Sequence, residues 1–309
     1  MFFKHQIIKF LCKILLLLGI TFLFDYAIGT TLKHYYFTQT SGAQYRTTYS
    51  MDSTNAQVLI FGSSRANHHY NPSIIENMTG MSCYNTGRDG NFLLYNYAIF
   101  KTVINRYKPE IVIIDVEKDE LSSTIDDYER LSSLLPYLNR NKAIDQTIAL
   151  RGPYEKIKCL SKIYPYNSLL LTIAIGNTEL NKARKPDIKG YVPLNNIWDN
   201  PYPELDSMVV KTIDQNKKNA LLEIIQDCKL HGIRLVLVIS PLFIKSVDTT
   251  GGNPVMQIAL KNNVEYLDFT SDTIFLNNHH YFTDPEHLNE SGATLFSTLL
   301  IEHLLRGEK

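Results

Sequence analysis

The hydrophobic pattern divides the chain into one long apolar stretch and a series of short apolar runs. The stretch from Phe10 to Ile28 reaches the roughly 20 residues that a membrane-spanning helix needs, provided that the Lys13 side chain extends toward the aqueous surface. Lysines precede it, which predicts a single-pass protein with a cytoplasmic N-terminus and an extracytoplasmic bulk. A cleaved signal peptide is the alternative, although no Ala-x-Ala site follows the run. Residues 1–29 are therefore predicted to form an uncleaved transmembrane signal-anchor.

The next segment, residues 30–55, is rich in Thr, Tyr and Ser without clear periodicity, and we expect a stalk. Residues 56–309 then alternate short β-rich runs with amphipathic ones. The strand-like runs are continuously apolar, which is typical of a parallel sheet covered by helices on both faces. The predicted fold is a three-layer α/β/α sandwich with a five-stranded, parallel, flavodoxin-like sheet. The predicted strands are Val58–Phe61, Ser82–Asn85, Ile111–Ile114, Ile233–Ile239 and Val264–Asp268.

Residues 117–205, approximately, interrupt this rhythm and are predicted to be an insertion with helices at Asp126–Leu138 and Tyr154–Ile175. Long insertions in a compact sheet are usually lids or substrate-facing subdomains. Tyr191 lies in a turn of this insertion and is a candidate substrate contact, with an ordinary loop as the alternative. The remaining predicted helices are Pro72–Met78, Phe92–Tyr107, Met208–Leu230, Pro254–Lys261 and Asn289–Leu305.

The charge balance argues against nucleic acid as a partner. Lys and Arg together number 31, as do Asp and Glu, and no basic stripe is present. Four cysteines occur without a close pair, so the sequence indicates no disulfide framework.

A candidate nucleophile follows the first predicted strand. Val58–Phe61 runs into Gly62, which permits a sharp bend, and Ser64 would then lie at the carboxyl end of a strand. Ligands bind at that edge of an open α/β sheet, and a serine held there has an oriented hydroxyl suited to acyl transfer. A purely structural turn is equally compatible with the pattern.

A candidate base lies near the C-terminus, in a loop before the last helix. His287 could take the proton of Ser64 when its hydroxyl attacks a carbonyl, and Asp284 could hold the other ring nitrogen. The alternative is a turn opened by Asp284 with a surface histidine. A third segment, Asn85 to Gly90, has two glycines that would let backbone N–H groups point into the cleft and stabilise an oxyanion, or would simply form a turn.

Together these three segments resemble the SGNH (GDSL-like) hydrolases. The Gly-Asp-Ser block of that family matches Gly62 to Ser64 with a serine in place of the aspartate, Asn-x-Gly-x-x-Gly matches Asn85 to Gly90, and Asp-x-x-His matches Asp284 and His287. The resemblance implies a serine esterase or O-acyltransferase without a cofactor or metal. In it, Ser64 is the nucleophile, and the backbone of Ser64 and Gly90 forms the oxyanion hole.

One block of that family is different here. Its Gly-x-Asn-Asp segment supplies an asparagine to the oxyanion hole, whereas this chain has Asp115 to Asp119, with Lys118 nearest that position. Loss of such a donor typically costs about 2.7–4 kcal/mol of transition-state stabilisation. Lys118 or Arg65 is a candidate replacement, and a structural ion pair is the alternative for Arg65.

The anchor and the Ser-Ser-Arg turn resemble a membrane-tethered branch that acylates or deacylates cell-envelope polysaccharides, such as the alginate acetylation proteins and the D-alanine transfer protein of teichoic acid synthesis. This resemblance implies an acylated glycan or another ester as substrate and a membrane-bound acyl-donor partner. The competing hypothesis is a catalytically weak module that binds polysaccharide or supports an assembly.

Two histidine pairs, at His68–His69 and His279–His280, raise the alternative of a zinc site. Adjacent histidines on one element point in different directions, so such pairs rarely supply two ligands to one ion. We expect His68 and His69 to line the cleft behind Ser64 or to pack on the following helix. Asn85, like His68, is a candidate substrate contact.

Overall fold

A computed structural model describes residues 2–178, 187–200, 212–244 and 253–306. Its central sheet has five parallel strands in the order β2-β1-β3-β4-β5. These are β1 Val58–Phe61, β2 Cys83–Asn85, β3 Ile111–Asp115, β4 Arg234–Ile239 and β5 Glu265–Asp268. The order reverses between β1 and β3, and the carboxyl ends of these strands form the switch point where ligands bind in such sheets. The predicted fold class is confirmed.

Helices cover both faces of the sheet. Within the described ranges they are α1 Phe2–Phe37, α2 Gly42–Asp52, α3 Ser64–His69, α4 Pro72–Thr79, α5 Leu93–Arg106, α6 Ile125–Arg130, α7 Lys142–Ala149, α8 Glu155–Lys158, α9 Leu170–Gly176, α10 Gln215–His231, α11 Pro254–Lys261 and α12 Glu290–Arg306. Alternate side chains of β1 point to opposite faces of the sheet. Leu59 and Phe61 pack in the core that includes α5 and α10, and Val58 and Ile60 pack in the core that includes α3, α4 and α12. Both faces of the strand are therefore buried, which explains its continuously apolar sequence.

The N-terminal region differs from the predicted anchor and stalk. α1 continues to Phe37, and α2 then occupies much of the segment expected to be a stalk. Tyr36 and Met51 are buried in the main core, and the Tyr36 hydroxyl donates to the Tyr137 hydroxyl at 3.1 Å. Residues 30–55 are thus folded against the domain, because tertiary contacts stabilise helices that the sequence pattern alone does not indicate.

The first part of α1 matches the length and composition of a membrane span. Its apolar stretch has a mean hydropathy of 2.4 and is 0% buried against the protein. The candidate span is therefore present as one continuous helix, and its large apolar side chains between Phe3 and Ile28 face outward.

The insertion is helical, but its helices are shorter than predicted. The expected helix Asp126–Leu138 becomes α6 followed by a 3-10 helix, Leu131–Tyr137, that contains Pro136. The expected helix Tyr154–Ile175 is divided into α8, a 3-10 turn at Tyr164–Tyr166 and α9. α7 has no counterpart among the predictions. Proline removes an N–H and disfavours the α conformation of the residue before it, which explains the interruption at Pro136.

The remaining helices are close to the predicted ones. α10 begins at Gln215, where the Asp214 carboxylate accepts from the Asn216 and Lys217 N–H groups. The first residues of the predicted Met208–Leu230 helix, 208–211, lie outside the described residues. Asn289 caps α12, since its side chain accepts from the Gly292 N–H at 3.0 Å.

Candidate active site

The turn after β1 presents Ser64 at the switch point. Gly62 has φ +146°, and a Cβ there would lie 2.7 Å from the Ala66 Cβ and 2.9 Å from the Asp115 carbonyl oxygen. Only glycine fits this close approach to α3 and β3. Ser64 is the first residue of α3, directly beyond the carboxyl end of β1.

The segment that holds Asp284 and His287 is a small antiparallel hairpin rather than the predicted loop. Its strands, β6 Phe282–Asp284 and β7 His287–Leu288, pair these two residues directly. The Asp284 Oδ1 atom accepts from the backbone N–H groups of Glu286 and His287, each at 2.9 Å. These backbone bonds fix the position of the Asp284 carboxylate independently of the His287 ring. The hairpin itself therefore orients the Asp–His pair.

The structure brings Ser64, His287 and Asp284 together. His287 Nε2 lies 2.7 Å from Ser64 Oγ, and His287 Nδ1 lies 2.9 Å from both carboxylate oxygens of Asp284. With Nδ1 donating to the carboxylate, Nε2 is the acceptor that faces the serine hydroxyl. This is the tautomer that a general base requires.

The charges of the pair stabilise each other. Burial favours the neutral form of His287, but the hydrogen bond and charge of Asp284 outweigh it, so the His287 pKa is raised above its usual 6.5. Burial also opposes ionisation of Asp284, and the hydrogen bonds from His287 and from the Glu286 and His287 amides lower its pKa below the usual value. Asp284 is therefore ionised at neutral pH and can stabilise an imidazolium.

The backbone amides of Ser64 and Gly90 are available to a ligand. Within the described ranges, neither the Ser64 N–H nor the Gly90 N–H donates to a protein acceptor. The turn that carries Gly90 lies across α3. Asn67 Nδ2 donates to Asp89 Oδ1 at 2.5 Å, and a Cβ on Gly87 would lie 2.6 Å from the Asn67 amide nitrogen. The turn therefore holds the Gly90 amide beside the first turn of α3.

Replacing Gly90 by alanine should impair this candidate oxyanion hole. Gly90 has φ +66°, and an added Cβ would collide with the Arg130 guanidinium. Alanine keeps the N–H, but backbone strain at this φ would move it out of position. We therefore expect Gly90→Ala to lower kcat for ester cleavage by as much as the roughly 10²–10³-fold that loss of one oxyanion donor costs. Gly80→Ala is the matched control, because Gly80 has φ +72° and no atom within 4 Å of the added Cβ. Equal activity of the two variants would contradict the assignment.

Three other candidate site residues have structural contacts. Arg65 is buried, with its Nε 3.3 Å from Asp115 Oδ1 and its Nη2 donating to the Val116 carbonyl at 2.8 Å, so it braces the end of β3 rather than facing the cleft. Asn85 is also buried. Its Nδ2 donates to the carbonyls of Ala66 and Tyr70 at 2.6 and 3.0 Å, and its Oδ1 accepts from Gly87. Both were expected near a ligand and instead hold α3 in place. The third residue, Lys118, is half-buried in the turn after β3.

His68 contacts the segment of the insertion that contains Tyr191. His68 Nδ1 donates to the Val192 carbonyl at 2.7 Å, its Nε2 lies 3.3 Å from Asp89 Oδ1, and its ring packs edge-on against His287. His68 therefore borders the site, as expected. Tyr191 is 0% exposed, so the structure does not support the predicted substrate contact. Its segment supports α3 from the side, because the Val192 N–H donates to Asn67.

His69 makes contacts that the sequence did not reveal. Its Nε2 accepts from the Leu288 N–H at 3.0 Å, so its proton is on Nδ1, which donates to Ser240 Oγ at 2.9 Å. The ring also packs against His287. His69 thus connects α3, the end of β4 and the hairpin of β6 and β7. Its partners come from distant parts of the chain, and no local pattern identifies them.

The free energy of unfolding should decrease as the pH falls, in part because of His69. Burial and the nearby His287 charge lower its pKa well below 6.5, so the unfolded chain binds a proton that the fold excludes. The contribution of His69 is complete above about pH 6.5 and declines by about 1.4 kcal/mol per pH unit below that value. Urea unfolding of the detergent-solubilised protein at pH 7.5 and 5.5 should show a smaller loss for His69→Gln than for wild type. His303→Gln, at an exposed histidine, is the control, and equal losses in all three proteins would contradict the expectation.

A cavity of about 420 Å³ lies near the turn that carries Gly90. Arg130, which lines it, rests against Gly90. Glu117, also in its wall, is close enough to Arg65 and Glu286 for their charges to affect its pKa, which burial raises above the usual value. The lining residues are Phe92, Glu117, Asp119, Glu120, Thr124, Ile125, Asp126, Asp127, Arg130 and Lys217. The cavity thus adjoins the turn that carries Gly90, through Arg130.

The zinc alternative receives no support from the described part of the chain, where no group of three His, Cys, Asp or Glu side chains is arranged to hold a metal ion. His68 and His69 instead have the separate partners given above.

Comparison with known proteins gives matches among solved structures. No family model matches the chain, and no curated protein matches its sequence. A protein described as a lipolytic protein of the G-D-S-L family from Desulfitobacterium hafniense has a TM-score of 0.40 and 12% identity, with 79% of this chain and 97% of that chain covered. A GDSL-like lipase from Bacteroides thetaiotaomicron has a TM-score of 0.37 and 9% identity, with 81% and 88% covered.

Proposed function

We propose that this protein is a serine-dependent esterase or O-acyltransferase. The observation that supports this most strongly is the 2.7 Å distance between Ser64 Oγ and His287 Nε2, with both Asp284 oxygens 2.9 Å from the other ring nitrogen. A hydroxyl, an imidazole and a carboxylate in this order form the arrangement that activates a serine for attack on a carbonyl.

The reaction follows from these positions. Ser64 Oγ attacks the ester carbonyl carbon while His287 Nε2 takes the hydroxyl proton, and the amides of Ser64 and Gly90 stabilise the oxyanion. When the tetrahedral intermediate collapses, the C–O bond to the alcohol breaks and His287 returns the proton to the departing oxygen. The acyl group is then on Ser64. Attack by water completes hydrolysis, whereas attack by the hydroxyl of an acceptor completes transfer.

The substrate that we propose is an acylated, hydroxyl-rich molecule such as a cell-envelope glycan. The cavity near Gly90 is large enough for a sugar-sized group. Half of its lining residues are carboxylates, and these, together with Arg130, can hydrogen-bond to hydroxyls. With α1 as a membrane anchor and the domain on the extracytoplasmic side, a membrane-bound protein could supply the acyl group.

A fluorophosphonate probe tests the proposed chemistry directly, because it forms a covalent bond only with an activated serine. The wild-type protein should be labelled and Ser64→Ala should not. Ser63→Ala is the matched control, since the Ser63 side chain makes no capping hydrogen bond to α3, and it should remain labelled. Absence of labelling in the folded wild-type protein would refute the enzyme proposal.

A second candidate function is a non-catalytic module that binds polysaccharide. It is favoured by the segment Asp115 to Asp119, which has no asparagine to complete the oxyanion hole. In that case the purified protein should bind envelope glycan, and Ser64→Ala should bind it equally well, while neither protein cleaves esters or reacts with the probe.

A further inference from the structure

The insertion exposes a cluster of large apolar side chains, which we name the 154–171 surface. Its members are Tyr154, Ile157, Leu160, Leu170 and Leu171, which are 52–74% exposed. A single exposed leucine is ordinary on a protein surface, but several within one short segment mark a site of interaction. Tyr154 precedes α8, Ile157 lies in α8, Leu160 follows α8, and Leu170 and Leu171 begin α9.

This segment is fixed to α1 by specific polar contacts. The Asp25 carboxylate accepts from the Ser161 hydroxyl and from the backbone N–H groups of Lys162 and Ile163 at 2.7 and 3.3 Å. One turn further along α1, Gly29 is buried, and a Cβ there would collide with Lys162. Residues 161–163 therefore lie directly against the 25–29 turn of α1.

That position sets the depth of the surface relative to a bilayer. A hydrocarbon core about 30 Å thick takes roughly 20 helical residues, and the apolar stretch Phe10–Ile28 supplies them. Asp25 and Gly29 then lie at the end of the span, where hydrocarbon meets headgroups. The apolar side chains of the surface lie within ten residues of positions 161–163 in the chain, so they are close to this turn.

The charges around the surface suit the same environment. Lys156, Lys158 and Lys162 are exposed beside the apolar side chains, and Lys158 is paired with Glu155 at 2.8 Å. Exposed lysines next to apolar side chains are typical of segments that lie in the plane of a membrane interface, where the ammonium groups reach anionic headgroups.

We propose that the 154–171 surface docks into the lipid interface of the same bilayer that α1 spans. Its apolar side chains enter the boundary between headgroups and acyl chains, and Asp25 and Gly29 hold the segment at that depth. The domain is thus attached to the membrane at two places, by α1 and by this surface. This inference depends on α1 crossing the membrane and is independent of the proposed esterase chemistry.

Site-specific fluorescence tests the proposal with the full chain in vesicles of phosphatidylcholine and phosphatidylglycerol and no other protein. A variant without Cys12 and Cys159 keeps only the buried Cys83 and Cys228. An environment-sensitive nitrobenzoxadiazole label is then attached to single cysteines at positions 157, 160 and 171. Labels at 230 and 260 are matched controls, because Leu230 and Leu260 are 76% and 64% exposed and lie on α10 and α11. A label on Cys12 alone reports the insertion of α1.

Labels at 157, 160 and 171 should emit at shorter wavelength than those at 230 and 260. They should also be quenched most strongly by lipids with a spin label about 5–10 Å below the headgroups, the depth at which interfacial helices lie. If Cys12 is quenched and these three positions behave like 230 and 260, the surface faces water or a protein partner and the proposal is wrong. If Cys12 is not quenched either, α1 is not inserted and the proposal fails with it. Thermal melting of each variant shows that it is folded.

Discussion

Ser64→Ala is expected to lower kcat/KM for a small activated ester, such as a p-nitrophenyl ester, by roughly 10⁶-fold, the loss seen when a triad nucleophile is removed. The variant loses only the bond between Ser64 Oγ and His287 Nε2 and keeps those that orient His287 through Asp284 and the hairpin backbone. The effect should therefore be confined to chemistry. Initial rates and thermal melting, measured on the same preparation, separate loss of the nucleophile from loss of the fold.

Ser63→Ala provides the comparison for this prediction. It removes the same atom from the neighbouring residue, so its rate should stay close to that of wild type. Substantial ester cleavage by Ser64→Ala, or an equal loss in both variants, would exclude Ser64 as the nucleophile.

Asp284→Asn is expected to lower kcat by roughly 10⁴-fold, because an amide N–H facing His287 Nδ1 favours the wrong tautomer of the base. The pH dependence gives an independent test. The reaction needs neutral His287, so the wild-type rate should rise with pH through a pKa that Asp284 holds above 6.5. Without the carboxylate charge, this pKa should move down, and the residual activity should reach its plateau at lower pH.

Glu286→Gln is the matched control for Asp284→Asn. Glu286 is exposed in the same hairpin, and its charge also raises the His287 pKa, but its side chain has no hydrogen bond to the ring among the described residues. We expect a small downward shift of the pH profile and nearly unchanged kcat. A profile that is identical for wild type and Asp284→Asn would show that the carboxylate does not act on the base.

The centre of the sheet was predictable because its strands have a clear hydrophobic pattern. The runs Val58–Phe61 and Ile111–Ile114 are continuously apolar, and burial of both faces leaves few alternatives. The meeting of Ser64 and His287 followed from one rule, that the loops at the carboxyl ends of parallel strands share an edge of the sheet. The two residues are 223 positions apart in the chain and still form a hydrogen bond.

The roles of individual polar residues could not be predicted from the sequence, because polar residues support the fold as well as form the site. Asn85 and Arg65 have the chemistry of ligand-binding groups, and the fold uses both to satisfy buried carbonyls and a carboxylate. Local patterns do not specify which donor meets which acceptor across the sheet. The same applies to residues 30–55, whose helices depend on contacts such as Tyr36 with Tyr137.

The unbroken passage of α1 into the folded domain has a mechanical consequence. Tyr36 is buried in the main core, so no loose tether separates the apolar part of α1 from the body that carries Ser64. A bilayer around α1 would keep the nucleophile at one constant height above the lipid and let it move only sideways. Such a protein cannot search the space above it, and its substrates must themselves be delivered to that plane.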